Sequence, residues 1–510
     1  MLLLLDSSAP DALSSASSTA AAAFAFHASS PPPSLTTSCR RLGIPSSPWL
    51  LSMCLASDTA VPEFARALAE KCLRCSGHFA LQLDASSAAC GAIEHTLPIS
   101  PDPETEAIVR SELGPHELLA FIEGPERAWL RPEHLGNCSY RLPFRAQLPG
   151  KYLLHILQVR QEFAAMDETI DAFPPIDAVY ITGFEGLQLT LGESAHGADH
   201  DKRTSAAAQS AVLSRTGLPR CTTGNAAGRF VYSGPLQLLY EAGPRAAHVE
   251  PSARLIDRTN YTTHPNQFEW RPYSCALTRF EPATLLAMTA GLRIDLFGDS
   301  HMRMLFEYML QIPCNKSSSN RNSRCFVCAQ SSICYISKHE GSNFFEYDND
   351  SGHGPQRDVL IVNIGNHPAS KWHRRLRDYS AEVRSVLDLF GVAADSSPHD
   401  GGLKAAIWLA STPITTSDLA FLYFYKDWRT THRLRLFNEA ALNETLRFLG
   451  PVTGAEGLYT FLDHFPLAMA AIQDSPDFAH LKGLRSALDG VVDQLFTEML
   501  AQIEKRKEAE

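Results

Sequence analysis

Gly291-Leu-Arg-Ile-Asp-Leu-Phe-Gly298-Asp299-Ser300-His301-Met-Arg-Met-Leu-Phe-Glu-Tyr-Met-Leu310 decides how this chain is read. Ile294, Leu296 and Phe297 make a short apolar run of the kind a buried strand requires. Gly298-Asp299-Ser300 breaks the run with turn formers. Beyond it Met304, Leu305, Tyr308 and Met309 recur at helical spacing, so a helix is predicted just past Ser300. Strand, turn and helix together set a serine hydroxyl at the carboxyl end of a sheet. There a helix N-terminus offers backbone N–H groups and partial positive charge to a developing oxyanion. Asp299 or Ser300 also suits a plain helix N-cap, and Gly-Asp-Ser alone does not choose between the two roles.

Downstream, Asp358-Val-Leu-Ile-Val-Asn363 reads as a second buried strand and is followed by Ile364-Gly365-Asn366-His367-Pro368. Ala405-Ala-Ile-Trp-Leu-Ala410 is a third strand, leading into Ser411-Thr-Pro413. Gly457-Leu-Tyr-Thr-Phe-Leu462 is a fourth, leading into Asp463-His464. Helical spacing falls between them at Asp378–Leu389 and Leu434–Leu449. Strands alternating with helices predict an α/β fold with a doubly wound parallel sheet. In such sheets ligands sit beyond the carboxyl ends of the strands, where these polar residues fall.

A serine nucleophile needs a base, and the base needs a group that fixes its tautomer. Near the C-terminus stands Asp474-Ser-Pro-Asp477-Phe-Ala-His480, which puts Asp477 and His480 on one Pro-marked loop. Asp463-His464 is the rival pair. Adjacent residues on an extended chain point to opposite faces, which tells against their acting together. His301, next to the serine, reads as a packing or substrate-binding residue. His367, His373 and His432 form no i, i+4 pair, so no metal is expected. Trp428 suits a sugar-stacking role or a place at a helix start.

Upstream, residues 1–100 read as a variable N-terminal segment, Ala/Ser/Pro-rich to about Pro33 and partly disordered or targeting. Met1-Leu-Leu-Leu-Leu5 lacks the basic flank of a signal peptide. Residues 101–184 carry short alternating runs at Leu118–Ile122, Cys138–Phe144 and Tyr152–Val159, with Pro149-Gly150 turning the last two. These predict a small β-sandwich. Residues 185–219 are Ala/Ser/Gly-rich and read as a linker; residues 220–500 form the catalytic unit.

The formal charge of −11 argues against a nucleic-acid binder, which carries a basic patch, and no run of eighteen apolar residues marks a membrane span. Twelve cysteines, all between Cys39 and Cys334, accompany sequons at Asn137, Asn260, Asn315, Asn349 and Asn443. Together they point to disulfides and a secretory route, as Golgi-lumenal or secreted protein. Cys314, Cys325, Cys328 and Cys334 are expected to staple a local loop. Cys72-X-X-Cys75 and Cys325-X-X-Cys328 lie too far apart for a zinc knuckle. No Gly-rich phosphate loop announces a nucleotide cofactor.

Trp270-Arg-Pro-Tyr-Ser-Cys275, Gly298-Asp-Ser-His-Met-Arg303, Val362-Asn-Ile-Gly-Asn-His-Pro368 and Asp477-Phe-Ala-His480 together resemble the SGNH/GDSL hydrolases. The closer likeness is to their PC-esterase branch, which holds the trichome birefringence-like and the neurexophilin and PC-esterase domain proteins. The resemblance runs from about Arg220 to Leu495. Upstream, Cys138-Ser-Tyr-Arg-Leu-Pro-Phe144 and Leu148-Pro-Gly-Lys-Tyr-Leu-Leu-His-Ile156 resemble the closing hairpin of immunoglobulin-like, filamin-type repeats.

What the resemblance implies is a catalytic triad of Ser300 as nucleophile, His480 as base and Asp477 as its orienter. The oxyanion hole would join the Ser300 N–H to Asn366 and to Gly341, with Gly365 as the rival glycine. Trichome birefringence-like members differ at the Gly365–His367 position. The implied activity is O-acetyl transfer to, or removal from, a glycan or polysaccharide, with an acyl donor as second partner. The alternative is a secreted adhesion or carbohydrate-binding glycoprotein whose SGNH fold is inactive.

Overall fold

A computed structural model describes residues 39–42, 49–55, 77–85, 117–136, 139–148, 150–160, 179–180, 187–191, 218–234, 267–280, 282–309, 315–320, 323–328, 331–337, 358–370, 374–395, 403–414, 431–448, 459–471, 480–481 and 484–509. The first half is built of antiparallel strands. In chain order these are β1 (Cys39–Leu42), β2 (Trp49–Leu55), β3 (Gly77–Ala85), β4 (Glu117–Glu123), β5 (Glu126–Leu130) and β6 (Glu133–Gly136). Then come β7 (Ser139–Ala146), β8 (Gly150–Arg160), β9 (Val179–Tyr180), β10 (Leu187–Leu191), β11 (Gly228–Tyr232) and β12 (Phe268–Pro272). One sheet runs β1-β2-β3-β7-β6; the other runs β10-β8-β4-β5-β11-β12, with β9 also on β8.

The three strands expected between 117 and 160 are present as β4, β7 and β8, but they divide between two sheets, and pairing crosses the expected boundaries. β10 falls inside the stretch read as a linker and pairs with β8 along its whole length. Its alternating Leu187, Leu189 and Leu191 carry the strand signal, which the surrounding Ala, Gly and Ser dilute. β11 and β12, expected in the catalytic unit, extend the second sheet through β5.

The second half holds a seven-stranded sheet. Its elements are α1 (Pro282–Met288), β13 (Arg293–Gly298), α2 (Ser300–Met309), β14 (Asn315–Asn320), β15 (Ser323–Cys328), β16 (Ser331–Ser337) and β17 (Val359–Asn363). They continue with α3 (Leu376–Asp395), β18 (Ala405–Leu409), α4 (Thr431–Phe448), β19 (Tyr459–Leu462), α5 (Phe465–Ala471) and α6 (Arg485–Ala509). β16, β13, β17, β18 and β19 are parallel neighbours, and β14 and β15 join antiparallel at the β16 edge. β17 and β18 are buried at every position, as strands covered on both faces must be. Asn315–Asn320, Ser323–Cys328 and Ser331–Ser337 of the cysteine-rich stretch thus form sheet, and Cys334 is disulfide-bonded.

The chain lays β13 first, β16 on one side of it, and β17, β18 and β19 outward on the other. This is a 2-1-3-4-5 order, whose crevice opens beyond the carboxyl ends of β13 and β17. The two halves share a core: Phe230, Tyr232, Phe268 and Trp270 pack in one cluster with Ile294, Leu296, Leu467, Leu495 and Phe496. Cys221 and Cys275 close a disulfide at the foot of the β11–β12 pair. None of the described helices is long and apolar enough to cross a membrane.

Candidate active site

Gly298 ends β13 because nothing larger fits. A Cβ there would stand 2.6 Å from the Asn363 carbonyl oxygen and 2.7 Å from Met302 Cβ, so strand, neighbour and helix meet too closely for a side chain. Asp299 is buried, and its Oδ1 accepts the His301 N–H at 2.9 Å; its carbonyl accepts the Arg303 N–H at 3.0 Å. The capping role therefore belongs to Asp299. Ser300, the first residue of α2, keeps its hydroxyl for other work. Its Oγ lies 2.8 Å from His480 Nε2 across 180 residues of sequence.

His480 also faces His301, their ring centroids 4.6 Å apart. Asp477 and Gly341 lie outside the described residues. Asn366 sits three residues past the end of β17, on the other side of the crevice from Ser300. It is fully buried, and neither its amide nitrogen nor its amide oxygen meets a hydrogen-bond partner among the described residues. An unpaired buried amide costs about 1–3 kcal/mol.

The rival pair is occupied elsewhere. Asp463 is solvent-exposed and caps α5, accepting the Phe465 N–H at 3.1 Å, while its own N–H donates to Asn225 Oδ1. His464 is buried, with Nε2 3.2 Å from Thr412 Oγ1. Burial pushes its imidazole down to about 4, so it is neutral at physiological pH.

Other side chains hold the crevice in shape. Asn363 donates through Nδ2 to the Leu409 and Ala410 carbonyls, at 3.1 and 2.7 Å, binding the end of β17 to the end of β18. Asn438 clasps the backbone of Ser411 from both sides, accepting its N–H at 2.6 Å and donating to its carbonyl at 3.1 Å. Tyr379 of α3 donates to the Ile364 carbonyl, and burial raises its hydroxyl pKa well above the usual range, so the donor is permanent. Gly365 is enclosed: a Cβ would come 2.0 Å from Ser411 Oγ and 3.1 Å from the Tyr379 hydroxyl. Sequence reasoning passed over Asn363, Tyr379 and Asn438. The position of Asn363 at the end of an all-apolar strand was the available signal; the other two sit on helices and reach the site only through packing.

No family model matches the chain, and no curated protein matches it in sequence. Among solved structures it is similar to LAE5, an alpha/beta hydrolase from the metagenome of Lake Arreo, at 11% identity and a TM-score of 0.27. That match covers 42% of this chain and 97% of that one. It is also similar to Axe2, an acetylxylan esterase from Geobacillus stearothermophilus, at 10% identity and a TM-score of 0.25, over 41% of this chain and 94% of that one. The functional reading therefore rests on the residues of the crevice.

Proposed function

We propose that the crevice beyond β13 and β17 is the active site of a serine-dependent O-acyl transferase or esterase acting on a glycan. The observation that carries this reading is the 2.8 Å contact between Ser300 Oγ and His480 Nε2 at the N-terminus of α2. The resemblance to the PC-esterase branch adds Asp477 as the orienter of His480 and narrows the acyl group to acetyl.

In the proposed mechanism, neutral His480 carries its proton on Nδ1, which by resemblance is held by Asp477, and Nε2 accepts the Ser300 proton as Oγ attacks the acyl carbonyl. The carbonyl π pair moves to oxygen. The resulting oxyanion is met by the Ser300 N–H, the Asn366 amide and, by resemblance, the Gly341 N–H. Collapse expels the alcohol, which takes the proton from Nε2 and leaves acetyl-Ser300. Water or a sugar hydroxyl then gives its proton to His480 and attacks the acyl carbon; the bond to Ser300 Oγ breaks, Oγ takes the proton back from Nε2, and acetic acid or the acetylated sugar leaves. Whether water or sugar wins depends on how far a bound acceptor excludes solvent.

The Cys221–Cys275 disulfide and the sequons support an oxidising, secretory setting for this chemistry. The test is acetate release from an acetylated polysaccharide, with and without an unacetylated oligosaccharide acceptor. Wild-type turnover lost in Ser300→Ala supports the reading, and acetate appearing on the acceptor selects transferase. Glycan binding without turnover by a folded wild type contradicts it.

A further inference from the structure

Tyr335 stands behind the Ser300 turn. It belongs to β16, in register with Leu296 of β13, and is 5% exposed. Its hydroxyl donates to the Gly298 carbonyl at 3.3 Å and to the Asp299 carbonyl at 3.1 Å. Its ring packs against Phe306 of α2, at 5.7 Å between centroids. The hydroxyl therefore holds the two peptide units at which β13 becomes α2.

The second of those units contains the Ser300 N–H. A trans peptide is a rigid plane in which C=O and N–H point in opposite directions, and the described residues contain no cis bond. Fixing the Asp299 carbonyl from the side of β16 therefore fixes the direction of the Ser300 N–H on the other side. The Arg303 N–H reaches the same carbonyl at 3.0 Å, so the Tyr335 hydroxyl and the first turn of α2 hold this plane together.

We infer that Tyr335 is a positioning residue for acyl transfer: its hydroxyl orients the Asp299–Ser300 peptide so that the Ser300 N–H faces the oxyanion while Oγ faces His480. This rests on the reading of Ser300 as nucleophile. Losing the hydroxyl lets the plane tilt, and the cost falls on the transition state, where the N–H is needed most, rather than on substrate binding.

The test is Tyr335→Phe, which keeps the ring, beside Tyr152→Phe as a matched control. Tyr152 is also buried and its hydroxyl also donates to a backbone carbonyl, that of Leu148, with the Glu126 carboxylate as second partner, but on β8 in the antiparallel half. Active sites are counted by endpoint labelling with a fluorophosphonate, so that kcat is expressed per folded site. The expected result is a kcat about tenfold lower in Tyr335→Phe with KM unchanged, the fluorophosphonate reacting about tenfold more slowly, and Tyr152→Phe changed in melting temperature alone. An active wild type with an unaltered kcat in Tyr335→Phe overturns the inference and leaves the proposed function standing. A folded wild type that neither turns over nor labels overturns both.

Discussion

Two aspartates stand near a histidine in the sequence, Asp463 beside His464 and Asp477 three residues before His480. Only His480 touches Ser300; His464 is turned to Thr412, and Asp463 is spent on the first turn of α5. Asparagine caps a helix as well as aspartate does, so Asp463→Asn is expected to leave kcat and melting temperature close to wild type. On the proposed reading Asp477 orients His480, so Asp477→Asn is expected to cost on the order of ten-thousand-fold in kcat. Steady-state kinetics of the two variants checks this, and the opposite order would move the base role to His464. His464 has a second, separable consequence. Its folded pKa of about 4 lies below the ordinary 6.5. Between those values the unfolded chain binds a proton at His464 that the folded one refuses, so the contribution of His464 to stability falls as pH drops from about 6.5 to about 4 and levels off below. His464 alone accounts for about 3 kcal/mol of that loss. Urea unfolding at pH 7 and pH 5 checks the slope, which His464→Gln is expected to flatten.

At the scale of elements, the strands and helices that build the crevice were readable because each is periodic on its own. β13, β17, β18 and β19 announce themselves as apolar runs, and α2, α3 and α4 as 3.6-residue patterns, close to the observed ends except that α3 runs on from Leu389 to Asp395. α6 was not foreseen as one helix of 25 residues running to Ala509. It is buried on more than one face and interleaves Asp493, Gln494, Thr497, Glu498 and Gln502 with Val491, Leu495 and Met499, which blurs any single apolar stripe. Its polar residues serve neighbours: Glu498 accepts from Thr223 Oγ1 at 2.7 Å and the Gly224 N–H at 2.8 Å, and Asp493 from the Phe280 N–H at 2.9 Å. Tyr335 was invisible for a different reason: its hydroxyl meets the Ser300 turn only once β16 lies against β13. The tightest junction is Gly298. Gly298→Ala is expected to cost about 1–3 kcal/mol through overpacking and to lower kcat as well, because the methyl can be relieved only by moving β17 or the first turn of α2. Denaturant unfolding and kinetics on the folded variant check both parts; a stable variant with wild-type kcat would show that the junction yields without disturbing Ser300.

For the whole molecule, the sequence suggested separate units joined by a linker, because it shows composition and not pairing. In the structure the β11–β12 pair belongs to both halves: β11 extends the sheet of β5, while Trp270 of β12 packs beside Gly490 of α6. The Cys221–Cys275 disulfide closes a 54-residue separation around that pair. In the chain-entropy picture such a link contributes about 4 kcal/mol. Cys221→Ser/Cys275→Ser is therefore expected to melt well below wild type yet turn over normally at temperatures where it is folded, as thermal denaturation and kinetics on one preparation would show. A loss of kcat without a loss of stability would instead tie the disulfide to the crevice.

The account turns on Ser300 being an activated nucleophile. Labelling by a fluorophosphonate, which reacts with such serines, tests this most directly when wild type is set beside Ser300→Ala. Stoichiometric labelling of the wild type at Ser300, absent from a Ser300→Ala protein of unchanged melting temperature, is the expected result. A folded, disulfide-intact wild type that takes up no label, or one labelled equally after Ser300→Ala, would contradict it.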